Sequence, residues 1–397
     1  MALRALTAGE SHGCALTAII EGLPAGVGVD LAAVNADLAR RQKGYGRGGR
    51  MAIERDRAQV FGGVRHGAST GAPVALTIAN RDWENWSDEM SVAPPAEGWV
   101  SEREVRTPRP GHADLAGGMK YRHRDMRNVL ERASARETAA RVGIGALCRG
   151  LLTMTGVTVH SVVTAIGAVS WAGSGEWDEG LIAAADSSEV SCPDERTAGA
   201  MRQAIDAARQ AGDSLGGVFE VRAHGVPTGL GSHVFWDRRL DSRLAAALMS
   251  IPAIKGVECG LGFEAAGLPG SQVHDPIVRV EGQRVVGRSS NNAGGLEGGI
   301  SNGEAVVVRA AMKPIPTLVT ALPSVCLDDL SARAAHAERS DVCAVPAAAV
   351  VGEAMVCFVL ADAMLEKFGG DHMDDVLAAM AAHASGAKSI WESSGRA

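Results

Sequence analysis

Glycine constrains this chain more than any other residue. It occurs 49 times in 397 residues, while Phe, Trp and Tyr together make up only 4%. A core with so little aromatic bulk has to close on small and aliphatic side chains, with backbones approaching closely. At 46% apolar and 21% charged residues the chain is that of a folded globular protein. Its length allows up to about three domains, yet no low-complexity linker or compositional break divides it, so residues 1–397 read as one domain. The net charge of −7 argues against general nucleic-acid affinity. The seven cysteines are scattered and never spaced Cys-x-x-Cys, which points to a reducing, cytoplasmic setting and away from a zinc ribbon or disulfide framework. No N-terminal apolar run suggests a secretory leader. The most apolar segment, Val342 to Leu365, contains Pro346, Glu353 and Asp362, so it reads as a buried helix and not a membrane span.

Apolar periodicity predicts strands over 17–22, 60–64, 74–78, 157–170, 216–223 and 303–313. It predicts helices over 130–152, 197–211 and 346–367. Asp30 is expected to cap a helix with Leu31, Val34 and Leu38 inward, and Asp241 one with Leu244, Leu248 and Ile251 on a stripe. Residues 80–98 read as a surface loop. A short echo between 216–223 and 304–311 hints at two related halves.

Chemistry concentrates in a few glycine- and proline-rich stretches. His12 lies between Ser11 and Gly13, with little side-chain cover, and imidazole is the group suited to proton transfer near neutrality. A polar turn is the plainer reading. Arg40, Arg41, Lys43, Arg47 and Arg50 cluster among four glycines, a local cationic loop on an acidic chain. Arginine forks and exposed N–H groups suit phosphate or carboxylate, although a solvated loop or an RGG-like RNA contact has the same composition. Arg106-Thr-Pro-Arg109-Pro-Gly-His112-Ala-Asp114 is a stiff loop with convergent polar groups, or else a well-satisfied turn. Glu131-Arg132-Ala133-Ser134-Ala135-Arg136-Glu137-Thr138 would place Arg132 and Arg136 one helical turn apart. Residues 291–303 are glycine-rich without forming a dinucleotide fingerprint or P-loop. Lys313 to Thr317 and Arg339-Ser340-Asp341 precede or follow predicted elements. His66, His123, His224, His233 and His372 lack metal-ligand spacing and read as structural or surface residues. The whole inventory suits a small, multiply anionic substrate whose chemistry needs proton donors and acceptors.

Three of these stretches, GESHG…EGLP (9–24), ERASARET (131–138) and RSDVCAVPA (339–347), closely resemble the signature regions of the chorismate synthase family. RRQKGYGRG, RPGHAD, GGLEGGISNG and KPIPT match as well, so the likeness covers essentially the whole chain. The resemblance implies an α+β fold, a β-α-β sandwich with helices layered between antiparallel sheets and pseudo-duplicated halves, assembled as a homotetramer. It implies a lyase of aromatic amino-acid biosynthesis, at the last step of the shikimate pathway. That enzyme removes phosphate and the C6 pro-R hydrogen from 5-enolpyruvylshikimate-3-phosphate by 1,4-anti elimination, using reduced FMN without net redox change. Carried over by motif, His12, His112, Asp341 and Ser134 would be catalytic, and Arg41, Arg47, Arg50, Arg109, Arg136 and Arg339 would bind substrate. FMN would meet Arg132, Ala133, Ser134, Pro252, Ala253, Gly298, Lys313, Pro314, Ile315, Pro316, Thr317 and Arg339. Position 252 is a proline where relatives often carry glutamine, which removes an N–H and an amide from that contact. Arg41 and Arg47 are alternatively an NADPH contact. No reductase module is visible, so an external flavin reductase or other source of reduced flavin is implied, with no nucleic-acid or membrane partner. Two other classes stay open from the residues alone: an NADPH-oxidising flavin reductase, and a phosphate- or RNA-binding protein built on the arginine loop.

Overall fold

Alternating apolar residues build two antiparallel sheets. The computed structural model describes residues 3–48, 55–173, 175–279, 286–338 and 341–392. The first sheet holds β1 (Arg4–Ala8), β2 (Ala15–Glu21), β3 (Ala58–Gly62) and β4 (Val74–Ala79), in spatial order β1-β2-β4-β3. Its register sets Ala18 opposite Thr7 on one side and Leu76 on the other. Leu16, Ala18 and Ile20 of β2 and Val74, Leu76 and Ile78 of β4 point to the same buried face, the period-2 pattern of a half-covered sheet. The second sheet holds β5 (Thr158–Ile166), β6 (Val169–Ser170), β7 (Gly217–His224), β8 (Ile254–Cys259) and β9 (Val306–Met312), in order β8-β9-β7-β5-β6.

Helices of seven or more residues are α1 (Leu31–Gln42), α2 (Asp114–Tyr121), α3 (Arg127–Ala133), α4 (Thr138–Met154), α5 (Glu179–Ser187), α6 (Glu195–Gln210), α7 (Leu240–Met249), α8 (Val345–Phe368) and α9 (Met373–Glu392). Of these, α4 and α8 pack on each other between the sheets, α4 against the first and α8 against the second. The fold is α+β, a helix layer enclosed by two antiparallel sheets. The shortage of large side chains now has a physical use. A Cβ on Gly145 of α4 would sit 2.4 Å from Ala354 Cα of α8, and one on Gly352 would sit 2.5 Å from the Phe219 ring of β7. Only glycine permits either approach. The helix α8 is the one described helix long and apolar enough to cross a membrane, and it forms the buried centre of this sandwich. Its single buried carboxylate, Glu353, accepts from Arg40 at 2.7 and 2.8 Å, Arg149 at 2.8 Å and Ser161 at 2.7 Å. All seven cysteines are free thiols.

Several local expectations change. The Asp30 cap is present, accepting from Ala32 N at 2.8 Å, and Val34 and Leu38 are buried. Leu31 is 42% exposed, and Arg41 fills the last inward position of α1 instead. The continuous helix expected over 130–152 is broken at Ser134, whose backbone is extended (ψ 142°). Asp241 lies inside the first turn of α7 and pairs with Arg239, which occupies the cap position without a side-chain bond to the helix N–H groups. The strand expected over 157–170 folds back at Gly167 into β5 and β6. The two echoing stretches are neighbouring strands of one sheet, with Val306 opposite Ala223 and Met312 opposite Gly217.

Candidate active site

Loop segments from across the chain, the 82–86 loop and Arg103 among them, and the first turns of α8 enclose one cavity of about 870 Å³. The β1–β2 turn contributes Ser11 and His12, and the end of α1 with its following loop contributes Arg41, Arg47 and Gly48. The loop before α2 contributes Arg109, Gly111 and His112. The α3–α4 junction contributes Ala133, Ser134, Ala135, Arg136 and Thr138. Ile251 to Ala253 and the run after β9 form another wall, and Glu338, Asp341, Ala344, Ala347, Ala348 and Val351 the last.

Each histidine is held the same way. His12 bonds Glu131 twice: its backbone N–H donates at 2.8 Å and its Nδ1 at 2.9 Å. An ionised carboxylate only accepts, so Nδ1 carries the proton and exchange with a ligand falls to Nε2. Glu131 is buried and also accepts from Arg127 at 3.0 Å. Burial alone would push its carboxyl up, but the His12 bonds and Arg127 outweigh this and hold it below the ordinary carboxylate range. The Trp86 ring stacks on His12, with centroids 3.8 Å apart, and Arg103 covers Trp86 at 3.9 Å. His112 Nδ1 bonds Asp114 Oδ1 at 2.5 Å, and Arg109 Nε donates to Asp114 Oδ2 at 2.8 Å. Asp114 is fully buried. Desolvation opposes its charge, yet His112 and Arg109 hold the carboxyl far below its usual range. Arg109 Nη1 donates to Thr317 Oγ1 at 2.9 Å, which ties this loop to the Lys313–Thr317 run.

The Ser134 break produces the third feature. Its Oγ accepts from Arg136 N at 3.3 Å, starting a single 3-10 turn ahead of α4. That turn aims Arg136 and the Ala135 carbonyl inward. Arg136 is anchored by Asp56 at 2.6 and 2.8 Å and by Asn80 at 2.8 Å. Beside it, Arg41 donates to Thr138 Oγ1 at 2.9 Å and Ala135 O at 2.7 Å, while its Nη1 makes no hydrogen bond. Burial, and then Arg136 and Arg47 nearby, bring Arg41 down to about 10 despite Asp56. Asp341 accepts from Arg47 Nη1 at 2.9 Å and from Gly48 N at 2.6 Å. The wall carries six cations (Arg41, Arg47, Arg103, Arg109, Arg136, Lys313) and three carboxylates (Asp82, Glu338, Asp341). It is therefore cationic on a chain whose net charge is −7, an arrangement that gathers anions locally.

His12, His112, Asp341, Ser134, Arg41, Arg47, Arg109 and Arg136 thus converge, from positions up to 329 residues apart in the sequence. Ala133, Pro252, Ala253, Lys313, Ile315, Pro316 and Thr317 share the wall. Ala253 holds φ +69°, unusual for a residue with a Cβ, and its carbonyl accepts from Lys313 N at 2.9 Å. The guanidinium of Arg132 turns away, donating to Gly9 O at 3.0 Å and Thr7 O at 2.9 Å, where it braces the turn that carries His12. Pro314 is not on the cavity wall. Gly298 lies apart in the 296–301 hairpin, next to His233. Arg50 and Arg339 fall outside the described residues. Sequence reasoning passed over Trp86, which it placed in a surface loop, as well as Asp56 and Glu338. Glu131 and Asp114 stand within the expected motifs, but no local pattern assigns them to the histidines as a pair. For Asp114 the two-residue spacing from His112 was an available signal, whereas nothing local links Glu131 to His12.

The chain matches the family model described as chorismate synthase over residues 3–365. It is 57% identical over 377 residues to the chorismate synthase of Desulforamulus reducens, covering 95% of this chain and 97% of that one. It is 58% identical over 375 residues to that of Desulforudis audaxviator, covering 94% and 95%. It is also similar to a solved crystal structure of a chorismate synthase, with a TM-score of 0.77 and 44% identity over 98% of this chain and 99% of the other.

Proposed function

The chain belongs to the chorismate synthase family, and on that premise we propose that it converts 5-enolpyruvylshikimate-3-phosphate to chorismate by 1,4-anti elimination with reduced FMN. The observation that carries this reading is the convergence of two histidine–carboxylate pairs and four arginines on one cavity.

The substrate bears a phosphate and two carboxylates. Arg41, with an unbonded Nη1, and Arg47, Arg109 and Arg136 supply matching cations. The residues present also fit a flavin. Ala133, Ala344, Ala347, Ala348 and Val351 form a small-residue apolar wall suited to a flat ring, and the Lys313–Thr317 run and Ser134 supply polar contacts beside it. Lys313 is tethered to Gly111 O at 2.8 Å. Reduced FMN, when bound, supplies electron density to the breaking allylic C–O bond and takes it back.

The other steps belong to this chain. His12 donates a proton from Nε2 to the departing phosphate, with Glu131 stabilising the charged ring. His112, held by Asp114, would hold a proton toward the bound flavin, as the family resemblance implies. Asp341, with Ser134, serves removal of the C6 proton. In the present structure Asp341 is occupied by Arg47 and Gly48. A phosphate drawn to Arg47 competes for that arginine and releases the carboxylate. The alanine wall and the Trp86 loop exclude water from the reacting face. We further propose a cytoplasmic homotetramer fed by an external source of reduced flavin, a reading supported by the free thiols and by the exposed Val234, Phe235 and Trp236, which call for a covering surface.

Anaerobic assay of the purified chain with photoreduced FMN and no pyridine nucleotide tests this. Chorismate and phosphate should appear in equal amounts. No product, or product only when NADPH is added, overturns the reading as stated.

A further inference from the structure

One more carboxylate stands between the two histidine–carboxylate pairs. Glu338 lies on the cavity wall, three residues before Asp341. Its Oε1 accepts from Arg127 Nη2 at 3.3 Å, and its Oε2 lies 4.0 Å from Arg109 Nη1. Arg127 is the cation that holds Glu131, and Arg109 is the one that holds Asp114. Opposite charges therefore alternate from one imidazole to the other: His12, Glu131, Arg127, Glu338, Arg109, Asp114, His112. Among the described residues, Glu338 is the carboxylate ion-paired with both arginines.

We propose that Glu338 is a positioning residue that couples the protonation of His12 to that of His112 by balancing the two arginines between them. Protonating one histidine draws its carboxylate toward the ring and away from its arginine. That arginine turns more fully to Glu338, which loosens its hold on the other arginine. The second arginine then pulls harder on its own carboxylate, and the second histidine is less favoured as a cation. The pair accepts one proton more readily than two, as coupled sites do. Glu338 stays charged while the histidines titrate: burial opposes its ionisation, but His336, Arg127 and Arg109 hold its carboxyl down to about 2.

Among the described residues further groups lie against this chain, and Arg109 Nη2 also meets His112 Nδ1 directly at 3.1 Å. His336 Nε2 contacts Glu338 Oε1 at 3.2 Å from the same segment. Arg103 and Arg127 both lie over the Trp86 ring that stacks on His12, at 3.9 and 5.0 Å, and Lys313 meets the Gly111 carbonyl beside His112. Among the described residues, none of the other groups is ion-paired with both Arg127 and Arg109. The coupling is a property of the free protein. Its use in assigning one proton to phosphate departure while the other histidine holds its own rests on the function proposed above.

Trp86 gives the readout, because a protonated imidazole stacked on indole quenches its fluorescence, and the difference between the parent chain and Trp86→Phe isolates that signal. The full chain without ligands is titrated over about pH 5 to 9, the range of histidine. In the parent background His112→Asn should raise the His12 midpoint by about half a pH unit. In a Glu338→Gln background the His12 midpoint should lie lower, and His112→Asn should no longer move it. By linkage, His12→Asn should raise the His112 midpoint equally, read by NMR of labelled histidine. Glu338→Asp, which keeps the charge, should retain the coupling, and it remains informative if Glu338→Gln does not fold. An equal His112→Asn effect with and without the Glu338 charge, no effect in the parent, or coupling lost in a folded Glu338→Asp chain would each overturn the proposal. A purely structural role lowers melting temperature and leaves the coupling alone. None of these measurements reads turnover, so failure of the proposed reaction is a separate result.

Discussion

The two histidines differ from the other imidazoles of the chain in what stands behind them. Each has a buried carboxylate on Nδ1, itself held by an arginine. That fixes the tautomer and ring orientation, so that proton exchange with a ligand falls to Nε2. His12→Asn and His112→Asn should each lower kcat by about 10²- to 10⁴-fold, the span of a lost proton-transfer group, with little change in FMN binding. An unchanged rate in either variant removes that residue from the chemistry. Arg47 differs in kind, since it faces both Asp341 and the cavity. Arg47→Ala should act mainly on KM for the phosphorylated substrate, and a pure kcat effect would contradict a role in ground-state binding.

At the scale of elements, close approach and interruption matter more than propensity. Alanine is a better helix former than glycine by about 1 kcal/mol, so Gly145→Ala ought to stabilise an isolated α4. In the sandwich its methyl meets the α8 backbone at 2.4 Å, and overpacking of this kind costs about 1–3 kcal/mol. The packing term wins, and a lower urea midpoint is expected. Gly386→Ala in α9 adds a methyl to open space and should leave the midpoint unchanged or raised. The Ser134 break is the other decisive element. An unbroken helix through 130–152 would continue past Ser134 without the 3-10 turn that aims Arg136 and Ala135 O at the cavity. Apolar periodicity runs through that position undisturbed, so pattern reading extended the helix across it.

At the scale of the whole molecule, the charge in the middle of the helix layer joins four elements. Glu353 of α8 gathers Arg40 of α1, Arg149 of α4 and Ser161 of β5. Burial pushes its carboxyl up, but Arg40 and Arg149 outweigh that and bring it from 4.5 to about 2. A depressed folded value means that its stabilisation is complete above about 4.5 and is lost as pH falls through about 2. The stability difference between the parent and Glu353→Gln, read by chemical unfolding, should be constant above that window and shrink within it. Glu353→Ala strands two arginines and should cost about 3–5 kcal/mol. The sequence by itself determined most of the strands, the long apolar helix, the glycine-dependent packing, and the motifs carrying both cavity histidines and most of the cavity arginines, because periodicity, composition and motif are local and survive without coordinates; β1, β8 and the place of Arg103 are not read from it. Only the tertiary structure decided that Glu131 serves His12, that Trp86 covers it, that Arg132 turns outward and that Glu338 stands between two arginines. Those pairings join residues far apart in the chain, and their partners are chosen by where the packed layers bring charges out of water.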